Sequence, residues 1–349
     1  MTWSKKSLFY IFSGLCIFSF GFLFGKSSLL IMDSHFTNEN MRADLQSLAE
    51  EIHRDQDLVL ESPQPGSVML EDSENHELPA CPELPPYLTG PFIVKVNKNV
   101  TLMDIMSENS YLQEGGRGKP QFCKAQQKIA IIIPFREREP HLIIWLHHML
   151  PFLQKQQADF GIYVVEQIKN ATFNRAKLMN VGYAESIKDY DYNCFIFSDV
   201  DIIPTNDRNL YRCSKNPRHM ANSLDKFNFR LPYNTIFGGI VAFTKEQFLK
   251  VNGFSNRFWG WGGEDDELYN RVIAAGMKID RPEPTIARSK AIFHRRDPGN
   301  EKTGKSFHLI SKAAQFMHVD GLNSLEYDVI KRISNKLYTK ITVNIGTEQ

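Results

Sequence analysis

Directly after the apolar run Cys194-Phe195-Ile196-Phe197 the chain reads Ser198-Asp199-Val200-Asp201, two carboxylates one residue apart. If that run is a buried strand, alternation turns both acids to one side, where a hard cation and a diphosphate could be held. Asp-x-Asp alone is more often a solvated loop. Its place at the end of a hydrophobic strand gives it weight, because two desolvated carboxylates need partners or a metal. A second cluster, Phe258-Trp259-Gly260-Trp261-Gly262-Gly263-Glu264-Asp265-Asp266-Glu267, joins two tryptophans, three glycines and four acids. Acids at a helix N-terminus are favoured by the macrodipole, which accounts for one or two of them. Tryptophans interleaved with glycines suggest an aromatic flap on a sharply bent backbone. Together they suggest a sugar site, with indole faces against pyranose rings, carboxylates on hydroxyls and one carboxylate as general base. A third feature, Ala291-Ile292-Phe293-His294, reads as a short apolar strand ending in histidine. A lone histidine is commonly a satisfied surface or core residue. If the three strand ends converge, His294 joins Asp201 in a mixed nitrogen and oxygen site suited to Mn²⁺. The Gly, Pro and Lys stretch behind it could order over a substrate.

Such residues need a scaffold that brings distant segments to one crevice. Lys128 to Ile133 is a β-branched apolar run closed by Pro134, the pattern of a buried parallel strand. Pro140 to Gln156 has helical periodicity, with Leu142, Ile143, Leu146, Met149, Leu150 and Leu153 along one side. Gly161 to Val165 reads as strand, Phe173 to Ile187 as helix and Cys194 to Phe197 as strand. This βαβαβ succession predicts an α/β fold with a mostly parallel sheet, covered on both faces, whose ligand crevice lies at the carboxyl ends of the strands.

With 349 residues and 42% of them hydrophobic, the chain can build a substantial core, which excludes disorder throughout. Lys and Arg number 41 against 40 Asp and Glu, so the global basic excess of a nucleic-acid-coating protein is absent. The charges are nonetheless segregated. Residues 33–80 hold twelve acids against Arg42 and Arg54, and residues 81–349 retain a basic surplus that suits an anionic ligand. Ser7 to Gly25 is an uncharged run rich in Phe, Leu and Ile; as a helix it spans about 28 Å, close to the hydrocarbon thickness of a bilayer. A cleaved signal peptide is the rival reading, but no clear small-x-small site follows. Lys5 and Lys6 keep the N-terminal end cytosolic. The expected organisation is a cytosolic tail (1–6), a transmembrane signal anchor (7–32), an acidic, proline-containing stem (33–80) and a lumenal catalytic domain (81–349). Cys81, Cys123, Cys194 and Cys213 form an even set that an oxidising lumen lets pair, in any of three ways by sequence alone; without Cys-x-x-Cys spacing zinc is not expected. Asn99 and Asn170 begin glycosylation triplets.

The chain resembles the β-1,4-galactosyltransferase family of Golgi type II membrane glycosyltransferases over residues 81 to about 346. The resemblance rests on Ile133-Pro134-Phe135-Arg136-x-Arg138, Phe173-Asn174-Arg175-Ala176-Lys177-Leu178, Phe197-Ser198-Asp199-Val200-Asp201, Tyr211-Arg212-Cys213, Phe237-Gly238-Gly239, the Trp259 to Asp266 block and Asp320-Gly321-Leu322-Asn323-Ser324-Leu325. It implies a GT-A fold, a Golgi membrane location, and a divalent cation, Mn²⁺, on Asp201 and His294. It implies UDP-sugar contacts from Arg136, Arg138, Phe173, Arg175, Asp199, Val200, Lys226, Trp261 and Glu264. Asp265 would be the catalytic base, Asp266 would bind a GlcNAc-terminated acceptor, and Phe307 and Ile310 would receive its N-acetyl group. The implied disulfides join Cys81 with Cys123 and Cys194 with Cys213.

Two positions depart from the familiar vertebrate members. Ala291 stands where they carry a methionine metal ligand, which leaves the metal preference open. Ile236 stands where galactose-transferring members carry tyrosine; the smaller side chain leaves space for an N-acetyl group on the donor's C2, so UDP-GalNAc is the expected donor. The alternatives are UDP-Gal or UDP-GlcNAc on the same acceptor, a non-catalytic lectin, and a metal-dependent phosphohydrolase, which would need more clustered ligands.

Overall fold

The computed structural model describes residues 77–97, 99–168, 171–295, 298–302 and 306–348. The expected cytosolic tail, the membrane anchor, all of the stem before residue 77, and Asn170 lie outside the described residues. Among the described residues, no helix is long and apolar enough to cross a membrane. Lys124 donates its amide to the Pro79 carbonyl at 2.8 Å, so chain pairing already begins just before Cys81. Asn99 is exposed.

In chain order the elements are α1 (Leu102–Glu108), β1 (Lys128–Phe135), α2 (Glu139–Lys155), β2 (Asp159–Gln167), α3 (Arg175–Ser186), β3 (Cys194–Ser198) and β4 (Ile202–Pro204). They continue with β5 (Arg218–His219), β6 (Ser223–Leu224), β7 (Ile240–Thr244), α4 (Lys245–Lys250), α5 (Glu264–Ala274) and β8 (Arg288–Ala291). The last are α6 (Ser306–Ser311), α7 (Ala313–Phe316), β9 (Asp328–Ser334) and β10 (Thr339–Asn344).

The main sheet has the order β5-β7-β3-β1-β2-β10-β9. β3, β1, β2 and β10 run parallel; β7 and β9 pair antiparallel to β3 and β10. The expected βαβαβ succession is present, and the antiparallel strands make the sheet mixed. From Ile129 onward β1 is apolar because both of its faces are covered. Ile129, Ile131 and Ile133 pack with Trp145, Leu146 and Met149 of α2. Ala130 and Ile132 belong to the opposite core, with Met179 of α3 and Phe195 and Phe197 of β3. α2 opens with Pro140 in its first turn, where a missing N–H costs nothing. α3 is capped by Asn174, whose side chain accepts the Lys177 amide at 2.8 Å.

A second sheet, β4-β8-β6, is what assembles the site. β4 starts one residue after Asp201 and pairs antiparallel with β8, placing Ile202 opposite Ala291. Ile292 then donates its amide to the Asp201 carbonyl at 2.7 Å, which brings the chain leading to His294 alongside Asp201. Disulfides join Cys81 to Cys123 and Cys194 to Cys213, the pairing that the resemblance implied.

Candidate active site

Asp199 and Asp201 follow β3 but do not continue it: residues 200 and 201 form a turn, so a bend rather than strand alternation sets their directions. Asp199 accepts from Arg175 Nε at 2.6 Å, and Arg175 reaches Glu264 at 3.3 Å. One guanidinium thus ties the β3 end to the α5 start. Burial opposes its charge, but Asp199 and Glu264 outweigh that and hold the Arg175 pKa above its usual value. Asp201 Oδ2 lies 3.2 Å from His294 Nε2. Their hydrogen bond raises the His294 pKa. Burial alone would raise that of Asp201, but His294 and Lys226 bring it below the usual carboxylate range. β8 ends at Ala291, so His294 sits three residues beyond a strand, in irregular chain, not at a strand end.

Two donors on adjacent corners of an octahedral cation lie about 3 Å apart, which the Asp201 and His294 atoms match. Among the described residues no third His, Cys, Asp or Glu joins them. Ala291 is on β8 and has no donor atom. The pair therefore fits a cation that takes its other ligands from a diphosphate and water, as a hard divalent ion does. His294 Nδ1 lies 2.8 Å from both the Arg295 carbonyl and the Arg138 guanidinium; a proton on Nδ1 suits the carbonyl and frees the Nε2 lone pair for metal, whereas a proton on Nε2 lets Nδ1 accept from Arg138.

Glu264, Asp265, Asp266 and Glu267 all occupy the first turn of α5, whose N-terminal dipole favours them. Burial, reinforced by Asp265, pushes the Glu264 pKa up to about 7 and that of Asp266 up to about 6. Gly260 makes the preceding bend possible. Its φ is +84°, and a Cβ there would meet the Glu301 carbonyl oxygen at 2.3 Å. Trp261 is half exposed and donates its amide to that same carbonyl at 2.9 Å, so the aromatic flap is stitched to the segment after His294.

A cavity of about 350 Å³ is lined by Phe173, Arg175, Asp199, Lys226, Ile236, Trp261, Glu264, Asp265 and Asp266 among others. Nine residues singled out from sequence therefore share one wall. Arg136, Arg138, Val200, Asp201, His294, Phe307 and Ile310 are not in its lining. Arg136 lies over the Phe173 ring at 4.7 Å, and Arg138 reaches His294 Nδ1 at 2.8 Å, so both border the site. Val200 is buried. Phe307, exposed, and Ile310 lie on α6, where the Ile310 carbonyl accepts from Asn270 of α5 at 2.9 Å. Sequence reasoning missed Tyr233, whose hydroxyl donates to Asp266 at 3.3 Å, and His219, which lines the cavity. Tyr233 stood in plain view beside the Phe237-Gly238-Gly239 block. His219 gave no signal, because nothing local marks a buried histidine far in sequence from the acids.

A strand-end aspartate pair tied by arginine to a carboxylate-rich helix start, at the carboxyl ends of a mixed α/β sheet, defines a glycosyltransferase of GT-A-like architecture. The pattern described as the N-terminal region of glycosyl transferase group 7 matches residues 81–214, and that described as the N-terminal domain of galactosyltransferase matches residues 218–295. The chain belongs to the β-1,4-galactosyltransferase family and is a metal-dependent glycosyltransferase. It is 51% identical over 270 residues to beta-1,4-galactosyltransferase 1 of Mus musculus, covering 77% of this chain and 68% of the relative. With beta-1,4-galactosyltransferase 3 of Homo sapiens it shares 46% over 272 residues, covering 78% and 69%. Among solved structures, a mutant of the Drosophila β1,4-galactosyltransferase 7, in complex with manganese, UDP-Gal and xylobiose, superposes with a TM-score of 0.56 at 30% identity, covering 63% of this chain and 94% of that one. The relatives carry galactosyltransferase names, so they back galactosyl transfer better than the N-acetylgalactosaminyl transfer expected from Ile236.

Proposed function

We propose that the chain moves galactose from UDP-Gal to the 4-hydroxyl of a terminal β-GlcNAc with inversion at the anomeric carbon. The observation that carries this reading is one cavity lined both by Arg175 and Lys226 and by the carboxylates Asp199, Glu264, Asp265 and Asp266. The cations and the aromatic Phe173 and Trp261 suit a nucleoside diphosphate and a sugar ring, and the carboxylates suit sugar hydroxyls.

In this reading Asp265 takes the proton of the acceptor hydroxyl as its oxygen bonds to the donor's anomeric carbon. The bond from that carbon to the diphosphate oxygen breaks in the same step, and UDP leaves with the electron pair. Arg175 and Lys226, with Arg136 and Arg138 at the border, offset the growing negative charge. Asp201 and His294 would hold a divalent cation, Mn²⁺, which would supply Lewis-acid stabilisation of the leaving group. Asp266 and Tyr233 orient the acceptor, with Phe307 and Ile310 as the apolar seat of its N-acetyl group. Trp261 limits the entry of water, which would otherwise hydrolyse the donor.

A second reading is favoured by Ile236. It lines the cavity where a tyrosine would narrow it, and the space suits an N-acetyl group, so UDP-GalNAc is the alternative donor. We also propose that the enzyme works in the Golgi lumen, tethered by residues 7–32 through the acidic stem. The test is a donor competition with the full-length chain in detergent, Mn²⁺ and a GlcNAc-terminated acceptor. A preference for UDP-Gal supports the first reading and one for UDP-GalNAc the second. Sugar binding with no transfer from either donor would make the protein a lectin.

A further inference from the structure

The segment between Pro232 and β7 contributes Tyr233, Ile236, Gly238 and Gly239 to the cavity, yet contains no helix or strand. Three of its carbonyls end on two side chains that come from elsewhere. Arg281 donates from one terminal nitrogen to the Asn234 carbonyl at 2.9 Å and to the Ile236 carbonyl at 3.0 Å. His219 Nε2 donates to the Gly238 carbonyl at 3.0 Å. The two are joined, because Arg281 Nε donates to His219 Nδ1 at 3.3 Å, which leaves the proton of the neutral ring on Nε2. His219 is 1% exposed, and burial together with Arg281 pushes its pKa down to about 3, so the ring stays neutral.

The footing of this clamp is itself fixed. His219 donates its amide to the Asp280 carbonyl at 2.9 Å, and the Asp280 carboxylate accepts from Ser214 at 2.7 Å and Asn216 at 3.0 Å. Ser214 follows Cys213, which is bonded to the start of β3. The clamped segment lines the cavity beside the acids of α5. Ile236 forms the donor wall, Tyr233 bonds Asp266, and Gly238 lies so close to Asp265 that a Cβ there would be 2.6 Å from its Oδ2. Arg281 does not itself line the cavity.

We infer that Arg281, acting through His219, is a positioning residue for donor specificity: it fixes segment 233–239 so that Ile236 meets the sugar's C2 substituent at one set distance. This rests on the cavity being the UDP-sugar site. In that reading UDP contacts Arg175, Asp199 and Lys226, which lie outside the segment; Asp199 meets it only at Gly239, where its amide donates to the carbonyl at 2.9 Å, beyond the three clamped carbonyls, so UDP binding depends little on the clamp. A loosened wall costs contact with the sugar and blurs the distinction between a hydroxyl and an acetamido group, because small misplacements in a site are strongly felt.

The full-length chain and its Arg281→Met, Arg281→Lys, His219→Leu and His219→Gln variants are compared in detergent with Mn²⁺. Their folding is checked by thermal melting. Measured are kcat and KM for UDP-Gal and UDP-GalNAc, the affinity for UDP, and hydrogen exchange of amides 233–239. Arg281→Met and His219→Leu should raise the KM of the preferred donor, and shrink the ratio of kcat/KM between the two donors, each by at least about tenfold. UDP affinity should stay within about twofold, and exchange of 233–239 should quicken. His219→Gln, which keeps a donor near the Nε2 position, should restore most of the ratio; Arg281→Lys, which cannot span both carbonyls, should not. An unchanged donor ratio in folded Arg281→Met, or a UDP affinity that falls in step with the sugar KM, overturns the inference. If the wild type transfers neither sugar, the functional reading fails, and hydrogen exchange alone then decides the clamp, with unchanged rates refuting it.

Discussion

Asp201 Oδ2 stands 3.2 Å from His294 Nε2, and the pairing of Ile202 with Ala291 puts them there. Asp201 immediately precedes β4 and His294 follows β8 by three residues, so the pairing of these two strands brings their chain segments together. If this pair holds the cation, Asp201→Ala should weaken Mn²⁺ binding by at least about 10–100-fold, the loss that even an outer-shell change produces. Electron paramagnetic resonance of free Mn²⁺ in the presence of UDP reads this directly. Equal binding by wild type and variant would place the ion elsewhere.

Asp265, the base in the proposed reaction, is flanked by two carboxylates and backed by Gly238. Asp265→Asn should lower kcat by about 10²–10⁴-fold, the usual contribution of a general base. UDP binding by calorimetry should remain. A variant that transfers at near wild-type rate would move the base to another residue.

Ile236 lines the cavity, and a phenol in its place would fill more of it. Ile236→Tyr should shift the ratio of kcat/KM for UDP-GalNAc over UDP-Gal toward UDP-Gal by about 10–100-fold, the scale on which one packing difference discriminates substrates. The measurement is a paired steady-state assay, and an unmoved ratio would mean that the C2 substituent lies away from this side chain.

Glu264 gives a stability prediction with a definite sign. Its pKa is about 7 in the folded protein against an ordinary 4.5, because burial and then Asp265 disfavour its charge. Between these values the folded state binds more protons than the unfolded one, so the stabilisation is complete below about pH 4.5 and fades as pH rises through about 7. Glu264→Gln lacks this slope. Relative to wild type it should gain on the order of 2 kcal/mol as pH rises across that window, read from urea melts at several pH values. A difference that does not vary with pH would show that Glu264 is already ionised at the low end.

The sequence made the central sheet legible because β1, β2 and β3 are buried on both faces and therefore read as unbroken apolar runs. The α2 periodicity was equally plain, with its buried face at Leu142, Leu146, Met149 and Leu153. The acids of α5 announced themselves through the glycines and tryptophans around them. His294 was legible as a residue but not in its setting, since Arg288–Ala291 is a short polar strand whose pairing with β4 depends on tertiary contact. His219 and Arg281 were illegible for a related reason. Their role lies in bonds to backbone carbonyls, and any sequence supplies a carbonyl.

β10 sits inside the sheet, parallel to β2 on one side and antiparallel to β9 on the other, although it is formed by residues 339–344. During synthesis the ribosome therefore releases β2 long before its neighbour exists, and the acids of α5 emerge before the sheet can close. Until Asn344 has left the exit tunnel, β2 carries an open row of amides and carbonyls that another chain could capture. A nascent polypeptide that has not yet released β10 is thus open to pairing with a foreign strand.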